Sequence, residues 1–99
     1  MLEIRHDDQG RLTLKGRLDA ARIDQASRAF DSLTEPTVVD FGGLDYISSI
    51  GLGLLIKTQK RLMASSGGGL KFVNMSQHIH TIFRFSGFHQ IFEIEVQKE

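Results

Sequence analysis

The sequence predicts one α/β domain spanning residues 1–99. A mixed, mostly parallel β-sheet with an antiparallel edge hairpin is packed by about three to four helices. Three observations carry this prediction. Short β-rich runs alternate with stretches whose apolar residues recur at spacings of three and four. The first two β-rich runs are separated only by Asp7-Asp8-Gln9-Gly10, a turn sequence that joins antiparallel neighbours. Each later run is preceded by a helical stretch, and strands joined through helices pair in parallel by right-handed crossovers.

The elements follow in order. Leu2 to Arg5 reads as a short strand, and Arg11 to Gly16 alternates polar and apolar as a half-buried partner should. Ala20 to Leu33 is helical, with Ile23, Ala26, Phe30 and Leu33 on one face and Pro36 after it as a stop. Thr37 to Phe41 has the β-branched and apolar density of a central strand covered on more than one side, ended by Gly42-Gly43. A second helix runs from about Ser49 to Ala64, with Leu52, Leu55, Ile56, Leu62 and Met63 mostly inward. Its stop is the glycine-rich loop Ser65 to Gly69. Leu70 to Val73 is a strand. Gln77 to Phe85 is a helix capped by Asn74 or Ser76 and ended by Gly87. Glu93 to Val96 closes the order β-β-α-β-α-β-α-β. The expected core contains Leu12, Leu14, Ile23, Phe30, Val38, Phe41, Leu52, Leu55, Ile56, Phe72 and Phe83, and Phe85, Phe88 and Phe92 read as core rather than a ligand box.

Composition excludes several classes. The chain has 99 residues, 40% hydrophobic and 24% charged, with 12 basic and 12 acidic residues and a formal net charge of +0. Bulk charge therefore favours neither nucleic acid nor an anionic membrane. No apolar run reaches the roughly 18 residues that cross a bilayer, and Met1 to His6 lacks the pattern of a signal peptide. A cytoplasmic protein is expected. Cysteine is absent, which removes thiol nucleophiles and thiolate metal sites. His78 and His80 point apart on a helix, and His6 and His89 lack local ligand partners, so no metal is expected. No Gly-x-Ser-x-Gly elbow is present. No catalytic residue and no cofactor are expected. Net neutrality gives little electrostatic help to solubility, which leaves weak self-association as a homodimer open.

The chemistry concentrates in Asp45-Tyr46-Ile47-Ser48-Ser49-Ile50-Gly51-Leu52-Gly53. Here a strand and loop hand over to a helix N-terminus, which carries unpaired N–H groups and about half a positive charge. Two adjacent hydroxyls at such an end point to a phosphorylation switch, because a phosphate is well received there. Plain capping is the bland alternative, and Ser48 fits it better than Ser49. Gly51 and Gly53 lack the lysine of a phosphate-binding loop, so they suit close approach of a partner or tight packing. Lys57, Lys60 and Arg61 form a basic stretch, either a solvated face or a docking face for an acidic partner.

Taken together, these segments resemble the STAS domain of bacterial anti-sigma factor antagonists over nearly the whole length. Gly16-Arg17-Leu18-Asp19 looks like the family's Gly-x-Leu-Asp after the second strand, and Val39 to Ile47 like its third strand and loop. Ser48-Ser49-Ile50-Gly51-Leu52-Gly53 looks like its phosphorylation loop, commonly Asp-Ser-Ser/Thr-Gly-Leu-Gly. Phe72-Val73-Asn74 and Phe85 to Phe92 match the later strand and last helix turn. Two positions depart: Ser48 replaces the usual aspartate and Ile50 the second hydroxyl, leaving Ser49 at the first hydroxyl.

The resemblance implies a STAS-like, non-enzymatic partner switch. Such a domain binds an anti-sigma factor that is also a serine-protein kinase, is released when phosphorylated, and is reset by a serine phosphatase. It implies phosphorylation at Ser49, with Ser48 the runner-up. It places partner binding at Asp19, Ser48, Ser49, Ile50, Gly51, Leu52, Gly53 and Lys57. The alternative it leaves is an accessory subunit that binds the ATPase of a lipid-transport ABC transporter.

Overall fold

Asp7 turns the chain at its first corner: its Oδ1 accepts the amides of Gln9 and Arg11, each at 2.9 Å. The two arms of this turn are β1 (Leu2–His6) and β2 (Leu12–Leu18), paired antiparallel with Leu2 opposite Gly16 and Ile4 opposite Leu14. The computed structural model describes residues 1–98. After β2 come a 3-10 turn at Ala20–Arg22, α1 (Ile23–Asp31), β3 (Thr37–Ile47), α2 (Ser49–Ser66), β4 (Leu70–Met75), α3 (Gln77–Phe85), a second 3-10 turn at Phe88–Gln90, and β5 (Glu93–Val96). Among the described residues the sheet has five strands in the order β1-β2-β3-β4-β5, parallel at every pair except the first. This is the mixed α/β architecture predicted from the sequence.

Alternation decides which sheet face is covered. Leu12, Leu14 and Leu18 of β2, Val39 and Phe41 of β3, and Phe72 of β4 are buried, while Thr13, Lys15, Val38, Asp40, Lys71 and Val73 between them are not. The buried set meets Ala26, Phe30, Leu55, Leu62, Ile79 and Phe83 from the helices in one contiguous core. Phe41, Phe72, Phe83 and Phe92 stack within it, with Phe41–Phe72 and Phe72–Phe92 centroids 4.6 Å apart. The other sheet face is open and polar. The expectation that β3 is covered on more than one side is thereby corrected: Val38 lies on the open face and is only half-buried.

Other expectations need correction. Gly42-Gly43 does not end β3, which continues to Ile47; the register with β2 slips there, from Thr13 opposite Asp40 to Lys15 opposite Gly43, and pairing resumes. Ile23 and Ile56 pack against the core's edge and are half-buried. Met63 is 52% exposed because Leu62 takes the inward position beside it. Phe85 is 89% exposed: it ends α3 two residues beyond Phe83, on the turn's outer side. Gly67, at φ 76, stops α2 in the left-handed conformation that glycine adopts without penalty.

Candidate functional site

β2 and β3 end side by side, with Leu18 opposite Ile47. Their C-terminal ends deliver Asp19 and Ser48 to one edge of the sheet, the edge where parallel α/β folds place their sites. Ser48 N–H and Ser48 Oγ both donate to the Leu18 carbonyl, at 3.0 and 3.3 Å. Ser48 Oγ also accepts the Gly51 amide at 3.3 Å, so Ser48 is the N-cap of α2. Its backbone is extended (φ −90°, ψ 170°), as a cap requires.

Ser49 is the first residue of α2 and is exposed. Among the described residues its hydroxyl makes no hydrogen bond. The two serines therefore differ: Ser48 is half-buried with its oxygen engaged twice, and Ser49 is free at the helix entrance. Ile50 beside it is 48% exposed. Gly51 and Leu52 turn inward. Leu52 is 6% exposed, and a methyl on Gly51 would lie 2.9 Å from Leu18 Cγ and 3.0 Å from the Leu18 carbonyl oxygen. The structure thus places these two under the loop, where they seat it against β2. Gly53 and Lys57 continue outward along the exposed stripe of α2 that starts at Ile50.

Asp19 stands beside the loop and is half-buried. Its Oδ2 faces Arg17 Nε at 3.5 Å, and its Oδ1 is buried with no hydrogen-bond partner among the described residues. Arg17 in turn lies over the Tyr46 ring, 4.3 Å from the centroid. The structure brings Asp19, Ser48 and the α2 entrance to one edge of the sheet.

In the sequence Arg61 belongs to one basic stretch with Lys57 and Lys60. The structure separates it. Arg61 Nη1 and Nη2 donate to the carbonyls of Leu33 and Phe30 at 2.7 and 2.9 Å, closing the C-terminal end of α1. Gln59 was also missed: its Oε1 accepts the Leu70 amide at 2.7 Å and its Nε2 donates to the Ile91 carbonyl at 3.0 Å, tying α2 to β4 and the chain before β5. A polar residue on a helix carries no sequence signal of such reach. Among the described residues no group of three or more His, Asp or Glu side chains is placed to hold a metal. No helix there is long and apolar enough to cross a membrane.

A family model described as "Mlab, STAS domain" matches residues 2–95. The chain belongs to the STAS-domain family. It is 34% identical over 80 residues to BtrV of Bordetella bronchiseptica, named as a candidate anti-sigma factor antagonist; the match covers 81% of this chain and 62% of that protein. Solved structures share the fold. An anti-sigma factor antagonist from Mycobacterium paratuberculosis superposes with a TM-score of 0.76 at 18% identity, covering 96% of this chain and 84% of the other. The phosphorylated form of the Bacillus cell fate determinant SpoIIAA gives 0.68 at 20% identity, covering 100% and 93%.

Proposed function

We propose that the chain is an anti-sigma factor antagonist that works as a phospho-regulated partner switch, with Ser49 as the modified residue. One observation supports this reading: of the two adjacent serines, Ser48 is consumed as the helix cap while Ser49 is exposed, with no hydrogen bond from its hydroxyl among the described residues, at the same N-terminus. A phosphoryl group on Ser49 adds about −1.5 to −2 charges. It meets the amides and dipole of the α2 entrance, so the fold tolerates it. A partner docked on that edge must desolvate or repel the new charge. A tenfold loss of affinity requires only about 1.4 kcal/mol.

In this reading the unmodified chain binds an anti-sigma factor that is a serine-protein kinase, and a serine phosphatase restores binding. The chain catalyses nothing itself. Asp19 lies at the rim of that docking edge, half-buried, with its Oδ2 turned to Arg17. The test compares Ser49→Ala and Ser49→Asp in binding to the kinase. Ser49→Ala should bind without release in ATP, and Ser49→Asp should bind at least tenfold more weakly with an unchanged melting temperature. Equal affinity of both variants overturns the reading. Tight binding to the ATPase of an ABC transporter, indifferent to Ser49, replaces it with the accessory-subunit role.

A further inference from the structure

Gly51 and Gly53 lie two residues apart in α2, yet packing inside the chain requires only the first. A methyl on Gly51 would strike Leu18 and Ile47, whereas a methyl on Gly53 would meet nothing within 4 Å. Gly53 does not have the positive φ that favours glycine. A glycine at an exposed position inside a helix is less favourable than alanine, so Gly53 weakens α2 with no compensating contact among the described residues.

Gly53 lies in an open groove of about 250 Å³ between α1 and α2, lined by Ile23, Ser27, Ile50, Gly53, Leu54 and Lys57. Ile50, 48% exposed, forms its apolar rim next to Ser49. Lys57 is the charged residue of that lining. No acidic residue occurs between Asp45 and Glu93, a stretch that carries Lys57, Lys60, Arg61, Lys71 and Arg84. Arg61 is engaged with α1 carbonyls and Lys71 with Glu93 and Glu95. Lys57 and Lys60 are exposed, one turn apart on the same stripe, and neither has a carboxylate within 4.0 Å among the described residues. Lys60 flanks the groove beyond its lining, and the exposed acids of α1, Asp24 and Asp31, are also outside that lining.

We propose that the α1–α2 groove seats an acidic segment of the partner protein, one apolar side chain of which enters over Gly53 while its carboxylates face Lys57 and Lys60. The missing Cβ of Gly53 is the space that this side chain occupies. The proposal rests on the Ser49 reading in one respect: a phosphate raised at the groove's rim opposes the same carboxylates that the lysines attract.

The test places p-benzoyl-phenylalanine at position 60, and at position 15 on the open sheet face as control, in cells of the source organism. The protein cross-linked at position 60 is identified, its cross-linked peptide mapped, and the protein purified as the probe. The cross-linked segment should be acidic. Gly53→Ala should melt at or above the wild-type temperature yet bind the probe at least tenfold more weakly. The Lys57→Glu, Lys60→Glu double variant should also bind at least tenfold more weakly and lose the salt dependence that wild type shows. The proposal is overturned by wild-type affinity of Gly53→Ala, by cross-links to a basic segment or to a second copy of this chain, or by cross-links from position 15 alone or from neither position. Ser49→Ala and Ser49→Asp, run against the same probe, separate the two readings. If they bind alike while Gly53→Ala fails, the switch falls and the groove stands.

Discussion

Replacing Arg61 with methionine should unfold the domain more readily while leaving partner affinity within about twofold. Methionine preserves most of the apolar stem, so the change isolates the guanidinium. Two hydrogen bonds of 2.7 and 2.9 Å, to the carbonyls of Leu33 and Phe30, are lost. A hydrogen bond from a charged donor contributes about 1.5–3 kcal/mol when buried. Arg61 is half-buried, so water replaces part of the loss and the pair together contributes roughly 2 kcal/mol. In a domain of this size each kcal/mol shifts the melting temperature by about 4–8 °C, which places the variant roughly 8–16 °C below wild type. Arg61→Lys keeps a charge but not the two-pronged geometry and should fall between them. Urea unfolding followed by circular dichroism gives the energies directly. Lys57→Met and Lys60→Met are the controls, each expected within about 0.5 kcal/mol of wild type. An Arg61→Met variant as stable as these controls would refute the assignment of Arg61 to the end of α1.

Three further outcomes follow from the geometry. Gly51→Ala should destabilise by roughly 1–2 kcal/mol in the same unfolding assay, because the added methyl's overlap with Leu18 and Ile47 outweighs the helix propensity gained. Ser48→Ala should cost on the order of 1 kcal/mol through loss of the cap and still be phosphorylated at position 49, as read by tandem mass spectrometry. His80 has its pKa lowered from 6.5, first by burial and then by Arg84 and His89. The unfolded chain therefore binds the proton more readily, so this contribution to stability is complete above about pH 6.5 and is lost as pH falls through the lower folded value. A melting temperature that declines on acidification in wild type, with a shallower decline in His80→Gln, is the expected pattern; parallel declines would contradict it.

Much of the fold was legible because local chemistry agreed with tertiary need. Asp7 to Gly10 named the hairpin, Ser48 named one cap, Asn74 or Ser76 offered another that Ser76 fills, and the glycine loop after Ser66 named a stop. Where local rules and pairing competed, pairing won. Gly42-Gly43 has the composition of a strand break, yet the ladder between β2 and β3 absorbs it as a register slip. Val38 and Phe85 are as apolar as their buried neighbours, and only knowledge of which sheet face is covered, or where α3 ends, shows them outside the core. At the site, the motif gave the loop and its hydroxyls. The division of work between Gly51 and Gly53, and the removal of Arg61 from the basic stripe, depend on contacts with Leu18 and with the end of α1. Those contacts join residues some thirty positions apart in sequence and leave no local trace.

In the proposed mechanism Ser49 is the switch and Ser48 its structural support. The most direct measurement incubates the purified chain with its partner kinase and ATP and locates phosphate by tandem mass spectrometry on wild type, Ser48→Ala and Ser49→Ala. The expected result is one phosphoryl group on Ser49 in wild type and in Ser48→Ala, none in Ser49→Ala, and dissociation of the complex as it accumulates. Phosphate confined to Ser48, or a complex that persists with Ser49 fully phosphorylated, would contradict it.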